Sequence, residues 1–133
     1  IVPTILDFLK IKYNKEDFDG KNLFDKSIPP RKYIFIEESS TMGKRAVRDS
    51  RYKYIEAFSK KSAVCSACNQ IHGGVVELYD LKKDPEENNN IAQKNKEKVI
   101  EMKSLLDNHL IQLRKTNEKR RIRHRIKNIK FKN

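Results

Sequence analysis

Five apolar residues near the end of the chain constrain its fold more than any other feature. Val99, Met102, Leu106, Leu110 and Leu113 step by three or four positions, which gathers them into one stripe along a helix. Ile91, Ile100 and Leu105 widen the stripe. A stripe of this kind has to be covered, and the segments before it are built to cover it. Tyr33-Ile34-Phe35-Ile36 is a short β-branched and aromatic run, expected to be a buried strand, and Arg45-Ala46-Val47-Arg48 is a second strand. Tyr52 to Phe58 is a third, with Tyr52, Tyr54, Glu56 and Phe58 on one face and Lys53, Ile55 and Ala57 on the other. Val75 to Tyr79 is a fourth. Short connections, Ser39 to Gly43 and then Asp49-Ser50, join the first three, so an antiparallel meander is the natural topology. The predicted fold class is α+β: a small four-stranded antiparallel sheet packed against a long C-terminal helix, with a short N-terminal helix.

That N-terminal helix is predicted over Pro3 to Lys12, because Pro suits a first turn and Ile5, Leu6 and Leu9 recur at helical spacing. Asp19-Gly20 is a turn signal, and Pro29-Pro30 forbids regular structure ahead of the first strand. Asp84-Pro85 starts a turn after the fourth strand, and Asn88-Asn89-Asn90 offers N-caps for the long helix. At 133 residues, with 37% hydrophobic and 36% charged residues, there is room for one domain with a modest core. The apolar runs are only a few residues long, too short for a helix to cross a bilayer. The opening Ile1-Val2-Pro3 shows no basic and apolar leader. It also lacks an initiating Met, as expected of a segment cut from something longer, so cellular location is left open.

The net charge of +12 is concentrated at one end. Residues 114–133 hold ten basic residues against the single acid Glu118, whereas residues 1–113 are nearly balanced, with twenty basic and seventeen acidic. The chain therefore divides into a body, 1–113, and a basic helical or disordered tail, 114–133. The tail has two readings. It is a solvated extension, or it neutralises phosphates on nucleic acid or another anionic surface. No nucleic-acid module accompanies the charges, so the first is preferred and nucleic acid is not the expected partner.

Three stretches, in order, resemble the sulfatase family. Ile1-Val2-Pro3-Thr4-Ile5-Leu6-Asp7-Phe8-Leu9, with Phe18-Asp19-Gly20-Lys21-Asn22-Leu23 further on, is similar to that family's D-(I/V)-x-P-T-(I/L)-L-D-L-x-G and D-G-x-S-L. Ala46-Val47-Arg48-Asp49-Ser50-Arg51-Tyr52-Lys53-Tyr54-Ile55 resembles A-V-R-x-G-x-Y-K-Y-I. Glu77-Leu78-Tyr79-Asp80-Leu81, then Asp84-Pro85-Glu86-Glu87-Asn88-Asn89-Asn90-Ile91-Ala92, resembles E-L-Y-D-L-x-x-D-P-x-E-x-x-N-L-A. Order and spacing make the three together far more specific than any one. By this resemblance residues 1–113 are the C-terminal subdomain of a sulfatase-like hydrolase of the alkaline phosphatase superfamily.

The resemblance also implies what lies elsewhere. In the family a Cys or Ser within C/S-x-P/A-x-R becomes the formylglycine nucleophile, and a calcium ion polarises the sulfate; both belong to an N-terminal catalytic domain. That domain would be this segment's partner, and a sulfated small molecule or glycan the substrate. The segment holds no residue for either role: Cys65-Ser66-Ala67-Cys68-Asn69 lacks the Arg and lies late in the chain. No catalytic residue is assigned, and the segment is expected to be inactive alone. Its part is structural, with loops at Ser39 to Lys44 and Ser59 to Gly74 that can wall a cleft. Lys44 and Arg45 are the residues expected to face an anionic substrate. Separation from a larger domain would expose Ile5, Leu6 and Leu9, and self-association is expected.

Cys65 and Cys68, with His72 four positions on, stand apart from this scaffold. Free thiols in a polar loop, a local disulfide and a zinc site are all open, with free thiols ranked first and no metal expected. Zinc would need a fourth ligand, from His109, His124, a second subunit or water. His109 lies by the apolar stripe and reads as a packed residue.

Overall fold

The computed structural model describes the backbone of residues 1–130 and the side chains of residues 1–119 and of Arg121. The chain forms two compact units, residues 1–31 and the remainder from Lys32 on.

The first unit contains helix α1, Val2–Phe8, with Pro3 in its first turn. It stops short of the predicted Lys12, because Lys10 turns to a positive φ of 57°, a left-handed conformation that ends a helix. The following chain is tied back by side chains. Asn22 Nδ2 donates to Asp7 Oδ2 at 2.8 Å and the Leu23 N–H to Thr4 Oγ1 at 3.0 Å. Tyr13 and Phe18 meet edge to face, 5.5 Å between centroids. Little apolar surface is buried: Ile1, Val2, Ile5, Phe8, Leu9, Ile11, Leu23 and Phe24 are exposed.

The second unit is the predicted α+β arrangement. Strands β1, Ile34–Glu38; β2, Lys44–Arg48; β3, Tyr52–Ala57; and β4, Val76–Asp80 pair antiparallel in chain order. The register sets Phe35 opposite Val47, Val47 opposite Tyr54, and Tyr54 opposite Leu78. That row is the sheet's contribution to the core; β1 is not buried as expected, because Ile34 and Ile36 alternate onto the opposite face and stay exposed. Helix α2, Lys96–Lys130, covers the row, and Val47, Tyr54, Leu78, Ala92, Met102 and Leu106 form one buried cluster. Val99, Leu105, Leu110 and Ile91 pack around its edge. Two stripe residues do not join it: Leu113 is 38% exposed and Ile100 is 68% exposed. Ile100 lies two residues before Met102, about 200° around a helix of 3.6 residues per turn, so only one of the two can face the sheet.

The Asn run does not cap α2. Asn95 does, its Oδ1 accepting from the Lys98 N–H at 3.3 Å. Asn90 instead lies along the edge of β4. Its Oδ1 accepts from the Leu78 N–H, its Nδ2 donates to the Val76 carbonyl, and the neighbouring Ile91 N–H donates to the Leu78 carbonyl. An amide side chain can satisfy both groups of an edge strand, which is why Asn serves here. α2 runs without a break through residue 113 into the basic segment.

Candidate functional site

Two polar assemblies lie on opposite faces of the sheet, and strand alternation sorts residues between them. On the helix-covered face, Arg45 of β2 stands opposite Glu56 of β3. Arg45 Nε donates to Glu56 Oε1 at 2.6 Å, and Tyr54 Oη donates to Glu56 Oε2 at 2.7 Å. Lys103 of α2 reaches Glu56 at 3.3 Å and Asp107 at 2.9 Å. Burial pushes the Glu56 carboxyl up, but the hydrogen bonds from Tyr54 and Arg45 and the charges of Arg45 and Lys103 outweigh it, so it sits below the ordinary value. Tyr54 moves the opposite way, raised by burial and by its bond to Glu56. Beside this network is an open groove of about 490 Å³ lined by Glu37, Arg45, Phe58, Leu110, Leu113 and Arg114. His109 is not part of the network: it stacks on Phe35 at 3.7 Å between centroids, and burial lowers its pKa.

On the other face, Lys44 and Glu77 form a buried ion pair at 2.8 Å. Glu77 also accepts from Tyr79 Oη at 2.6 Å and from the Gly74 N–H. Burial raises the Glu77 carboxyl, and these donors together with Lys44 more than offset it, leaving it depressed. Gly73 is required beside it. Its φ is +75°, and a Cβ there would stand 2.5 Å from Glu77 Oε2. The Lys44 ammonium makes a second bond, to the His72 carbonyl at 2.7 Å. Among the described residues no buried side-chain nitrogen or oxygen lacks a partner. The two residues expected to face an anion thus already have partners: Lys44 is 8% exposed and bound to Glu77, and Arg45, half-buried at the groove wall, is bound to Glu56.

Past β3 the chain makes the long excursion that ends at Gly74. Gly43 and Ser62 join its start to the sheet, N–H to carbonyl at 2.8 Å. Val64 and Ile71 form an isolated antiparallel bridge, closing a small hairpin. At its tip the Asn69 N–H donates to the Cys65 carbonyl and the Cys65 N–H to the Gln70 carbonyl, both at 2.8 Å. This turn gathers Cys65, Cys68 and His72, whose ligand atoms all lie within 4.8 Å of one another. Cys65 is buried and Cys68 exposed, and neither is in a disulfide. The backbone N–H groups of Ala67 and Cys68, and then the Cys68 thiol, hold the Cys65 thiol below its usual pKa. His72 Nε2 is 2.9 Å from Cys68 Sγ. His109 is not in this group, and the side chain of His124 lies outside the described residues.

Glu56 and Glu77 organise the two assemblies and were not singled out from the sequence. The available signal was a charge sharing a strand face with a tyrosine: Glu56 with Tyr54, and Glu77 with Tyr79.

A four-stranded antiparallel meander under one long helix, with the excursion between its third and fourth strands, is a sulfatase-like fold. Solved structures that share it include a Bacteroides thetaiotaomicron sulfatase, BT33336S-sulf, tied to metabolism of multiple glycosaminoglycans: TM-score 0.54, 26% identity, covering 81% of this chain and 23% of that one. BT4656, solved with its substrate D-glucosamine-2-N,6-O-disulfate, matches with TM-score 0.54 and 21% identity over 85% of this chain and 23% of its own. The Bacteroides fragilis protein yidJ, assigned to the sulfatases, matches with TM-score 0.52 and 23% identity over 86% of this chain and 24% of its own. The chain therefore spans about a quarter of the length of these structures. No family model and no curated protein matches it.

Proposed function

We propose that this chain is the C-terminal subdomain of a sulfuric ester hydrolase of the alkaline phosphatase superfamily. In this reading its sheet and helix complete the fold of a larger enzyme and wall one side of the substrate cleft. The observation that carries it is the shared fold: at least 81% of the chain superposes on sulfatases. The substrate class follows from the same source. A sulfated sugar is the substrate of BT4656, and a sulfated glycan or small molecule is proposed here.

The residues present do not fit calcium. Calcium takes oxygen ligands, and the group that could hold a metal among the described residues is two sulfurs and an imidazole. Calcium and the formylglycine nucleophile are accordingly assigned to the N-terminal catalytic domain. The chain's own contribution is positional: the Arg45–Glu56 and Lys44–Glu77 pairs fix the start of β2, the end of β3 and the start of β4, where the two variable loops attach. The exposed apolar residues between Ile1 and Phe24 supply surface for the larger domain to cover.

The test is hydrolysis of 4-nitrophenyl sulfate. The 133-residue chain alone is expected to release no nitrophenol, and a longer polypeptide carrying the chain behind a catalytic domain is expected to release it. Turnover by the chain alone, or none by the longer polypeptide, would overturn the reading. The exposed surface gives an independent check: light scattering is expected to show self-association of the isolated chain, and Ile5→Ser with Phe8→Ser is expected to reduce it.

A further inference from the structure

The excursion between β3 and β4 carries an assembly that the sulfatase reading does not use. We propose that Cys65, Cys68 and His72 form a zinc site in which the protein supplies three ligands and the fourth position is open to water.

The first support is the donor set. Two thiolates and an imidazole suit a borderline-soft divalent ion, and zinc is bound by sulfur and nitrogen in tetrahedral sites. Distance is the second. With bonds of about 2.3 Å to sulfur and about 2.0 Å to nitrogen, the ligand atoms of such a site stand roughly 3.5–3.8 Å apart. Here all three lie within 4.8 Å, and Cys68 Sγ is 2.9 Å from His72 Nε2. Binding an ion therefore asks the Cys68–His72 pair to open by about 0.6 Å and the widest pair to close by no more than about 1.3 Å. Small rotations of Cys68 and His72, both exposed, accomplish that.

The backbone is the third support, because it is arranged as a ligand loop. Asn69 adopts φ 59°, which Asn tolerates better than most residues, and its N–H closes the turn on the Cys65 carbonyl. The third ligand is held from the sheet: the buried Lys44 ammonium binds the His72 carbonyl, and Gly73 fits against Glu77. A disulfide between Cys65 and Cys68 would leave the imidazole beside Cys68 with no role.

The open fourth position follows from exposure. Cys68 and His72 face solvent, and neither His109 nor a fourth Cys, Asp or Glu joins them among the described residues. Zinc would fasten the hairpin at its tip and hold the excursion in one shape beside β2 and β4.

The experiment is titration of the full 133-residue chain, reduced and metal-free, first with zinc and then with cobalt as a spectroscopic stand-in. Stoichiometric zinc is expected, with cobalt giving thiolate charge-transfer absorption and a tetrahedral visible spectrum. Cys68→Ser and His72→Ala, both at exposed positions, are expected to weaken zinc by on the order of 10-fold or more while leaving the far-ultraviolet circular dichroism unchanged. Cys65→Ser is expected to abolish the cobalt spectrum. Because Cys65 is buried, Cys65→Ala read by circular dichroism checks that the fold survives. Failure of the reduced chain to bind zinc, binding that survives both surface variants, or an octahedral cobalt spectrum without thiolate bands would overturn the proposal. None of these readouts involves sulfate-ester hydrolysis, so the zinc site and the sulfatase reading stand or fall separately.

Discussion

The two faces of the sheet are buried in different ways. The helix-covered face is closed by apolar contact, with Val47, Tyr54 and Leu78 against Met102 and Leu106; its ionic network lies at the rim, where Lys103 and Asp107 remain partly exposed. The other face buries its charge, at the start of β2 and of β4. Lys44 and Glu77 are 10% and 6% exposed at the side chain and are enclosed by the end of the excursion. Apolar burial is non-directional and tolerates adjustment, whereas a buried ion pair holds only while every partner is in place. The first face gives the unit its stability. The second decides where one loop sits.

The largest effect is expected where that dependence is strongest. Lys44→Met leaves Glu77 buried beside an apolar chain and should destabilise by about 3–5 kcal/mol; Lys44→Met with Glu77→Gln, which removes the charge and keeps an acceptor for Tyr79 Oη, should recover part of it. Urea unfolding of the single and double variants measures both, and equal losses in the two would show that the pair does not act as a unit.

Leu106→Ala tests the apolar face. Leu106 is 1% exposed, and truncation there should cost about 2–5 kcal/mol, with no rescue by a charge change elsewhere. A loss below about 0.5 kcal/mol, the range of ordinary surface substitutions, would mean that α2 is not docked.

Acid sharpens the comparison, because each face contains one depressed carboxyl. Glu56 and Glu77 titrate lower in the fold than the unfolded value of about 4.3. The unfolded chain therefore takes up these protons first as pH falls. The stability they contribute is complete above that value and is lost as pH drops through their folded pKa values. Thermal unfolding followed from pH 7 to pH 3 should show a shallow early loss from His109, whose pKa burial lowers, and then a steeper fall as the two carboxyls protonate. Glu56→Gln should make the fall shallower. An unchanged fall in Glu56→Gln would show that this carboxyl does not contribute.

The smallest effect is expected at the edge of the helix face. His109→Ala removes the stack on Phe35 and should cost roughly 0.5–1.5 kcal/mol beyond the lost area. Ile100→Ser, at a position 68% exposed, should change stability by less than about 0.5 kcal/mol.

Period two in Tyr52 to Phe58 and steps of three or four from Val99 to Leu110 sufficed to predict the sheet, its order and the helix that covers it. Those patterns are local, and a strand or helix face is specified by residues a few positions apart. The end of the stripe was less legible, because Leu113 fits the spacing but lines the open groove with Glu37 and Arg45 and stays partly exposed. Asn88-Asn89-Asn90 was misread for a similar reason. Any Asn ahead of a helix resembles a cap, and only the path of residues 90–95 along β4 decides that Asn95 takes that role.

The sequence by itself determined that Cys65, Cys68 and His72 share one loop, and that Glu56 and Glu77 are charges on strands; Lys44 was read into a loop, and the structure makes it the first residue of β2. Only the tertiary structure decided what they do. Lys44 and Glu77 are 33 positions apart and meet because β2 and β4 flank β3. The His72 carbonyl is 28 positions from the Lys44 ammonium that holds it. Partnerships over such separations depend on which strands neighbour one another and on which face each side chain leaves, and no local pattern encodes that. The three potential ligands are close in sequence, yet free thiols ranked first for them as well. Their convergence depends on a left-handed Asn69 and on a backbone anchored from the sheet, which spacing alone does not reveal.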